Sequence, residues 1–149
     1  GIINVGGLRN SLNKGVITYR DVYEILPFEN ALCMLTMKGS DVKKLMRDII
    51  KAGGEGLSNV TITADKEMNL IDVKIGKRSI DNDRLYEIAT IDYLADGNDK
   101  MSAFKKAIKR VDVPEATIRS IFLDYVKSEA AKGRAVTSKM EGRVTVLNK

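Results

Sequence analysis

The sequence predicts an α+β fold: a single domain over residues 1–149 in which helices pack on a mixed β-sheet. Three observations lead there. At 149 residues the chain has the length of one domain able to bury a genuine core. Short apolar runs of strand length interleave with segments whose apolar residues recur at helical spacing. At least one pair of strands is joined by a polar turn short enough for a hairpin, so the sheet is not purely parallel.

The elements follow in order. Ile2-Ile3-Asn4-Val5 reads as a buried strand entering a tight Gly6-Gly7 turn, and residues 8–15 are loop. Thr18-Tyr19-Arg20-Asp21 has the Ser/Thr-x-x-acid form of a helix start, giving a short helix to Ile25 that Pro27 ends. Residues 31–37 are a short apolar strand buried on both faces. Ser40 is placed to cap a helix with Val42, Leu45, Met46, Ile49 and Ile50 on one face, and Gly53-Gly54 closes it. Residues 60–63 and 70–75 form the hairpin, and residues 85–91 another strand. After the polar loop Asp96-Gly97-Asn98-Asp99, residues 102–110 read as a short basic helix. Pro114 suits the first turn of a further helix with an apolar face of Ile118, Ile121, Phe122, Tyr125 and Val126, and residues 143–146 form a last strand.

Composition removes several function classes. There is no histidine, and Cys33 is the only cysteine. Histidine general bases and Ser-His or Cys-His pairs are therefore ruled out, and a transition-metal site on this chain alone is not expected. Cys33 has no partner for an internal disulfide and reads as a small buried hydrophobe. No apolar run reaches the roughly 18 residues of a membrane span. The chain opens on Gly1-Ile2-Ile3 and not on Met, which reads as a processed or trimmed end. A net charge of +5 suits a phosphate-bearing ligand, an anionic surface or plain solubility equally. Asp81-Asn82-Asp83 lacks the glycine and closing glutamate of a calcium loop and reads as a turn.

Three turn-rich segments carry chemistry. Asn4-Val5-Gly6-Gly7-Leu8-Arg9 combines glycines that let backbone N–H groups approach a ligand with an arginine fork matched to phosphate. Leu26-Pro27-Phe28-Glu29-Asn30 sets an aromatic ring and an amide at a rigid corner, and residues 92–99 add Tyr93 and the Asp99 carboxylate. Singly, each is an ordinary turn. Jointly they offer two rings for a flat base and an acid for ribose hydroxyls, and base–aromatic stacking contributes roughly 1–3 kcal/mol per base.

These segments belong to a longer ordered pattern: Asn4-x-Gly-Gly-x-Arg9, Gly15-x-Ile17-Thr18-Tyr19, Leu26-Pro27-Phe28-x-Asn30, Met37-Lys38-Gly39, Tyr86-x-Ile88-Ala89-Thr90, Tyr93-Leu94-Ala95-x-Gly97-Asn98-Asp99 and Glu141-Gly142-Arg143-Val144. In this pattern the chain resembles the C-terminal domain of the 5'-nucleotidase/UDP-sugar hydrolase family, bacterial periplasmic and animal ecto-enzymes. The resemblance implies that Phe28 and Tyr93 clamp the base, Asp99 accepts from the ribose, Arg9 holds a phosphate, and Asn4 and Asn30 make polar contacts. It also implies that Gly54 approaches the base edge, and that no catalytic or metal-binding residue lies on this chain. Two divalent metal ions and the bond-breaking step are implied on a metallophosphoesterase domain or subunit, in which metal-bound water attacks phosphorus. An extracytoplasmic location, in the periplasm or at the cell surface, is implied in the same way. The chain departs from the family at Tyr93, where Phe is frequent, and at Glu29 and Lys100, where glycine is common. Further phosphate-binding arginines of the family sit on a helix before the Gly-Gly-x-Arg strand, ahead of Gly1.

Two alternatives stand beside this reading. One is a stand-alone nucleotide or sugar-nucleotide binding module without hydrolytic activity. The other is nucleic-acid binding through Lys105, Lys106, Lys109 and Arg110, set against a solvated helix face because no aromatics interleave with the charges. The latter is not expected.

Overall fold

The structure, a computed structural model, describes residues 1–147; the domain expected over 1–149 is thus described up to Leu147, and its last two positions lie outside the described residues. In chain order the elements are β1 (Ile2–Ile3), α1 (Tyr19–Ile25), β2 (Ala31–Lys38), α2 (Gly39–Lys51), β3 (Gly56–Leu57), β4 (Val60–Asp65), β5 (Leu70–Ile75), β6 (Arg78–Ser79), β7 (Leu85–Ile91), α3 (Asp92–Ala95), β8 (Lys109–Thr117), α4 (Ile118–Ala131) and β9 (Val144–Leu147). Single 3-10 turns cover Val5–Gly7 and Ser102–Lys106.

The α+β class holds, with its sheet divided. Among the described residues β7-β2-β8 form an antiparallel sheet, β6-β5-β4-β9 a mixed one in which β4 and β9 run parallel, and β1 pairs with β3 alone. Helix α2 joins the two larger sheets into one core. Its Val42, Leu45, Met46, Ile49 and Ile50 are buried with Cys33, Leu35 and Met37 of β2, Ile88 and Ile91 of β7, and Ile62, Ala64 and Val73 of β4 and β5. Helix α1 starts as its sequence dictates: the Thr18 hydroxyl accepts from the Asp21 N–H, and the Asp21 carboxylate accepts from the Thr18 N–H at 2.7 Å.

Several elements differ from the sequence reading. The basic helix over 102–110 is replaced by a 3-10 turn and strand β8, because Val111 and Val113 alternate into register with Met34 and Leu32. Pro114 lies in that strand, not in a helix. The register jumps from Leu32↔Val113 to Ala31↔Thr117, so Pro114 sits in a bulge of an edge strand, where its missing N–H costs no ladder bond. Helix α4 therefore begins only at Ile118, capped by Thr117. Its expected apolar face stays half-covered, with Ile121 and Tyr125 exposed, and its buried residue is Arg119. Helix α2 has Lys38, not Ser40, at its N-cap. Strand β2 buries one face fully and the other partly, and β1 stops at Ile3. The four-residue α3 and the two-residue β3 and β6 are too short to leave a periodic signal in the sequence.

Cys33 is fully buried, and its thiol donates to Asp112 Oδ1 at 2.7 Å. Burial foremost, then the carboxylate beside it, pushes the thiol pKa up to about 12. Native protein at pH 8 should accordingly resist a thiol-reactive dye for hours and label rapidly only once unfolded in denaturant. Stoichiometric labelling of the native chain within minutes would contradict this placement.

Candidate functional site

Three segments distant in sequence meet at the end of β2 that begins with Ala31. The 3-10 turn Val5–Gly7 is closed by the Gly7 and Leu8 N–H groups donating to Asn4 and Val5 carbonyls, and the Arg9 N–H donates to Ile25 O at 2.9 Å. This fastens the Gly-Gly-x-Arg turn to the end of α1. The corner after α1 carries Phe28 and Asn30 into β2. Helix α3 is anchored by buried Leu94 and Ala95, which turns Tyr93 outward. The loop beyond it carries Asp99.

Asn4, Gly6, Gly7, Arg9, Phe28, Asn30, Tyr93 and Asp99 line one cleft of about 370 Å³. That lies within the roughly 300–1,000 Å³ usual for small-molecule sites. Phe28 is 44% exposed and Tyr93 39%, so both rings border the cleft and neither is sealed in the core. The Arg9 guanidinium lies over the Phe28 ring, 5.1 Å from its centroid. Of the residues expected from the sequence, Gly54 alone does not border this space. It ends α2 in the left-handed region (φ +103°), its N–H donating to Ile49 O at 2.9 Å.

Asp99 is the polar centre. Its Oδ2 accepts from Asn4 Nδ2 at 2.8 Å and its Oδ1 from the Tyr93 hydroxyl at 3.0 Å. A carboxylate offers about four lone-pair sites, so each oxygen keeps capacity for a further donor. The bond to Asp99, and then its negative charge, raise the Tyr93 hydroxyl above the ordinary tyrosine range, keeping it a donor. Glu55 lies nearby, its Oε2 accepting from the Val5 N–H at 2.6 Å. Burial, with Asp99 close by, raises its pKa against the lowering effect of that bond. Asp99 and Lys100 both adopt left-handed backbone (φ +53° and +64°), so lysine occupies a conformation that favours glycine.

Two residues outside the sequence reading hold the site together. Asp92 bridges the two ring-bearing segments: Oδ1 accepts from Asn30 Nδ2 at 3.0 Å and from the Tyr93 N–H, and Oδ2 accepts from the Ala31 N–H at 3.1 Å. Arg119 reaches across from α4 to the Phe28 corner and pairs with Glu29 at 3.1 Å. The negative charge of Glu29, adjacent to the ring in sequence, is thereby met by a cation. The signal for Arg119 was a lone charge in the otherwise apolar-spaced start of α4. Nothing in local sequence marks Asp92, because its Asn30 partner lies 62 positions away.

Comparison with known proteins places this arrangement. Residues 1–106 match the family described as 5'-nucleotidase, C-terminal domain. The chain is 34% identical over 103 residues to Protein UshA of Yersinia enterocolitica, covering 66% of this chain and 18% of that protein. It is 28% identical over 158 residues to the Trifunctional nucleotide phosphoesterase protein YfkN of Bacillus subtilis, covering 96% of this chain and 10% of that one. The crystal structure of a 5'-nucleotidase precursor from Thermus thermophilus superposes with a TM-score of 0.86 at 26% identity, over 99% of this chain and 31% of that chain. NAD nucleotidase of Haemophilus influenzae shares the fold, with a TM-score of 0.80 at 22% identity over 99% of this chain and 30% of its own. The chain thus spans less than a third of the length of each of these proteins. The match over most of the sequence, and the same fold over nearly all of it, show that the chain belongs to the family of 5'-nucleotidase C-terminal domains.

Proposed function

We propose that this chain is the nucleotide-gripping domain of a 5'-nucleotidase-type phosphohydrolase of nucleotide catabolism, working with a separate metallophosphoesterase domain or subunit. One observation carries the reading: Asn4, Arg9, Phe28, Asn30, Tyr93 and Asp99, from segments spread over 95 positions, border a single cleft. Phe28 and Tyr93 take the two faces of the base. Asp99, already oriented by Asn4 and Tyr93, accepts from the ribose hydroxyls with its remaining lone pairs. Arg9 turns from the Phe28 ring to the phosphate, and the open Gly6-Gly7 backbone leaves room for it.

Hydrolysis belongs to the partner, which supplies two divalent ions that activate water. This chain contributes position and orientation. Among its described residues no three His, Cys, Asp or Glu side chains gather as a metal-binding group. No helix of the described residues is long and apolar enough to cross a membrane. The location assigned is extracytoplasmic, on the likeness to the family.

Calorimetric titration with AMP, adenosine and UMP, alongside phosphate release with and without added Mn²⁺ or Mg²⁺, tests the proposal. The expected result is saturable AMP binding and no metal-dependent phosphate release from the chain alone. A ligand at about 100 times its Kd should also raise stability by roughly 2.7 kcal/mol. Absence of nucleotide and nucleoside binding at millimolar ligand would overturn the gripping role, and phosphate release by the chain alone would overturn the division of labour.

A further inference from the structure

We propose that Arg119 is the positioning residue of the base clamp, acting from α4 to fix the corner that carries Phe28; the inference rests on the nucleotide-gripping reading above. Arg119 is only 6% exposed. A buried guanidinium requires acceptors, and this one spends its donors on four consecutive residues. Nε donates to Leu26 O at 2.9 Å, and Nη2 donates to Pro27 O and Phe28 O, both at 3.2 Å. Nη1 donates to Glu29 Oε1 at 3.1 Å. The Tyr23 ring backs the guanidinium, whose carbon lies 4.1 Å from the ring centroid.

Between its two ends the corner has little else to hold it. Pro27 has no N–H, and residues 26–30 belong to neither helix nor strand. Its two ends are tied by the Arg9 N–H to Ile25 O and the Ile118 N–H to Asn30 O, at 2.9 and 3.0 Å, and Asp92 adds the bonds from Asn30 Nδ2 and the Ala31 N–H at the far end. Between those ties, one planar fork donates to three successive carbonyls. A half-exposed ring on an unsupported loop would sample many orientations and lose stacking energy to ordering it on binding. Held by Arg119, the Phe28 backbone is set before the ligand arrives. Lysine, a point charge without the fork, cannot reproduce this pattern. Arg119 also lies beyond residues 1–106, the part matched by the family, so the clamp depends on a segment outside that match.

A double-mutant cycle on AMP affinity tests it, with Phe28→Ala, Arg119→Lys and their combination, each checked by thermal melting. Phe28→Ala should weaken binding at least fivefold, Arg119→Lys up to as much, about fivefold, and Arg119→Lys in the Phe28→Ala background less than twofold further. Tyr23→Leu, at a half-exposed ring, is the milder second variant should Arg119→Lys not fold. It should weaken AMP binding about threefold, and again only when Phe28 is present. Additive effects of Arg119→Lys or Tyr23→Leu with Phe28→Ala overturn the positioning role while leaving the clamp intact. No effect of Phe28→Ala, or no AMP binding by the parent chain, overturns the clamp itself and this inference with it.

Discussion

Phe28→Ala and Tyr93→Ala should each weaken AMP binding by roughly 1–3 kcal/mol, about five- to 150-fold, with the fold unchanged. The size follows from what each substitution removes. A purine stacked on an aromatic face loses that whole contact when the ring goes, and among the described residues only Phe28 and Tyr93 bring rings to the cleft. Stability should stay within about 0.5 kcal/mol, because both rings are largely outside the core. Tyr93→Phe separates the ring from its hydroxyl. The ring still stacks, but Asp99 loses the donor on Oδ1 and keeps only Asn4 on Oδ2. A loss of about threefold is expected, smaller than for alanine since the bond is solvent-exposed. Parent and Tyr93→Phe also differ in pH dependence. The Tyr93 pKa is raised, so the Tyr93–Asp99 bond is fully present below the ordinary tyrosine pKa of about 10 and is lost as pH rises through the raised value. Parent affinity should therefore hold through that ordinary value and fall above it, and Tyr93→Phe should lack this alkaline limb. Equal affinities of Phe28→Ala, Tyr93→Ala and parent in calorimetry would remove the base clamp from consideration.

Elements governed by local rules were legible in the sequence. The Thr18/Asp21 box closes within one turn, and the five apolar residues of α2 follow one helical stripe into the core. The β4–β5 hairpin needed only its polar turn. Illegible were the elements decided at a distance. Lys109–Thr117 looks helical because of its basic start and Pro114, yet it pairs with β2 some 75 residues earlier, and an edge bulge absorbs the proline. The site divides along the same line. Turn residues such as Asn4, Phe28 and Asp99 stand in motifs that carry their own geometry. Asp92 and Arg119 reach the Phe28 corner and the start of β2 through hydrogen-bond partners 61 to 93 positions away. A buried arginine in an amphipathic helix gives no hint, from spacing alone, of which carbonyls it serves.

Gly39→Ala should be among the most destabilising single-methyl additions in the chain, by about 3 kcal/mol. The reason is close approach, not backbone freedom. Gly39 starts α2 directly after β2, where the segment leading into β7 crosses it: the Gly39 N–H donates to Arg84 O at 2.9 Å and the Ser40 N–H to Asn82 O at 3.0 Å. A β-carbon there would stand 1.8 Å from Asp81 O, 2.9 Å from Asp81 C and 2.8 Å from Ile80 Cγ2. Two of the three are backbone atoms, so no rotamer change relieves the overlap. The crossing must move, which strains both hydrogen bonds and the buried Ile80 beside them. For a domain of this size the melting midpoint should fall by roughly 6–12 °C. Gly53→Ala and Gly76→Ala are the controls: both sit at positive φ (+95° and +60°) with nothing within 4 Å, so only backbone strain of about 1 kcal/mol is expected. The eight-residue β2 puts Gly39 about 30 Å from Asn30 and the cleft. AMP affinity measured well below the melting midpoint should therefore change less than twofold in Gly39→Ala, whereas Phe28→Ala should show the reverse pattern, lost affinity with a near-parental midpoint. A parental midpoint for Gly39→Ala would mean that the Asp81 crossing yields at little cost, and a joint loss of stability and affinity would mean that this junction and the cleft move as one unit.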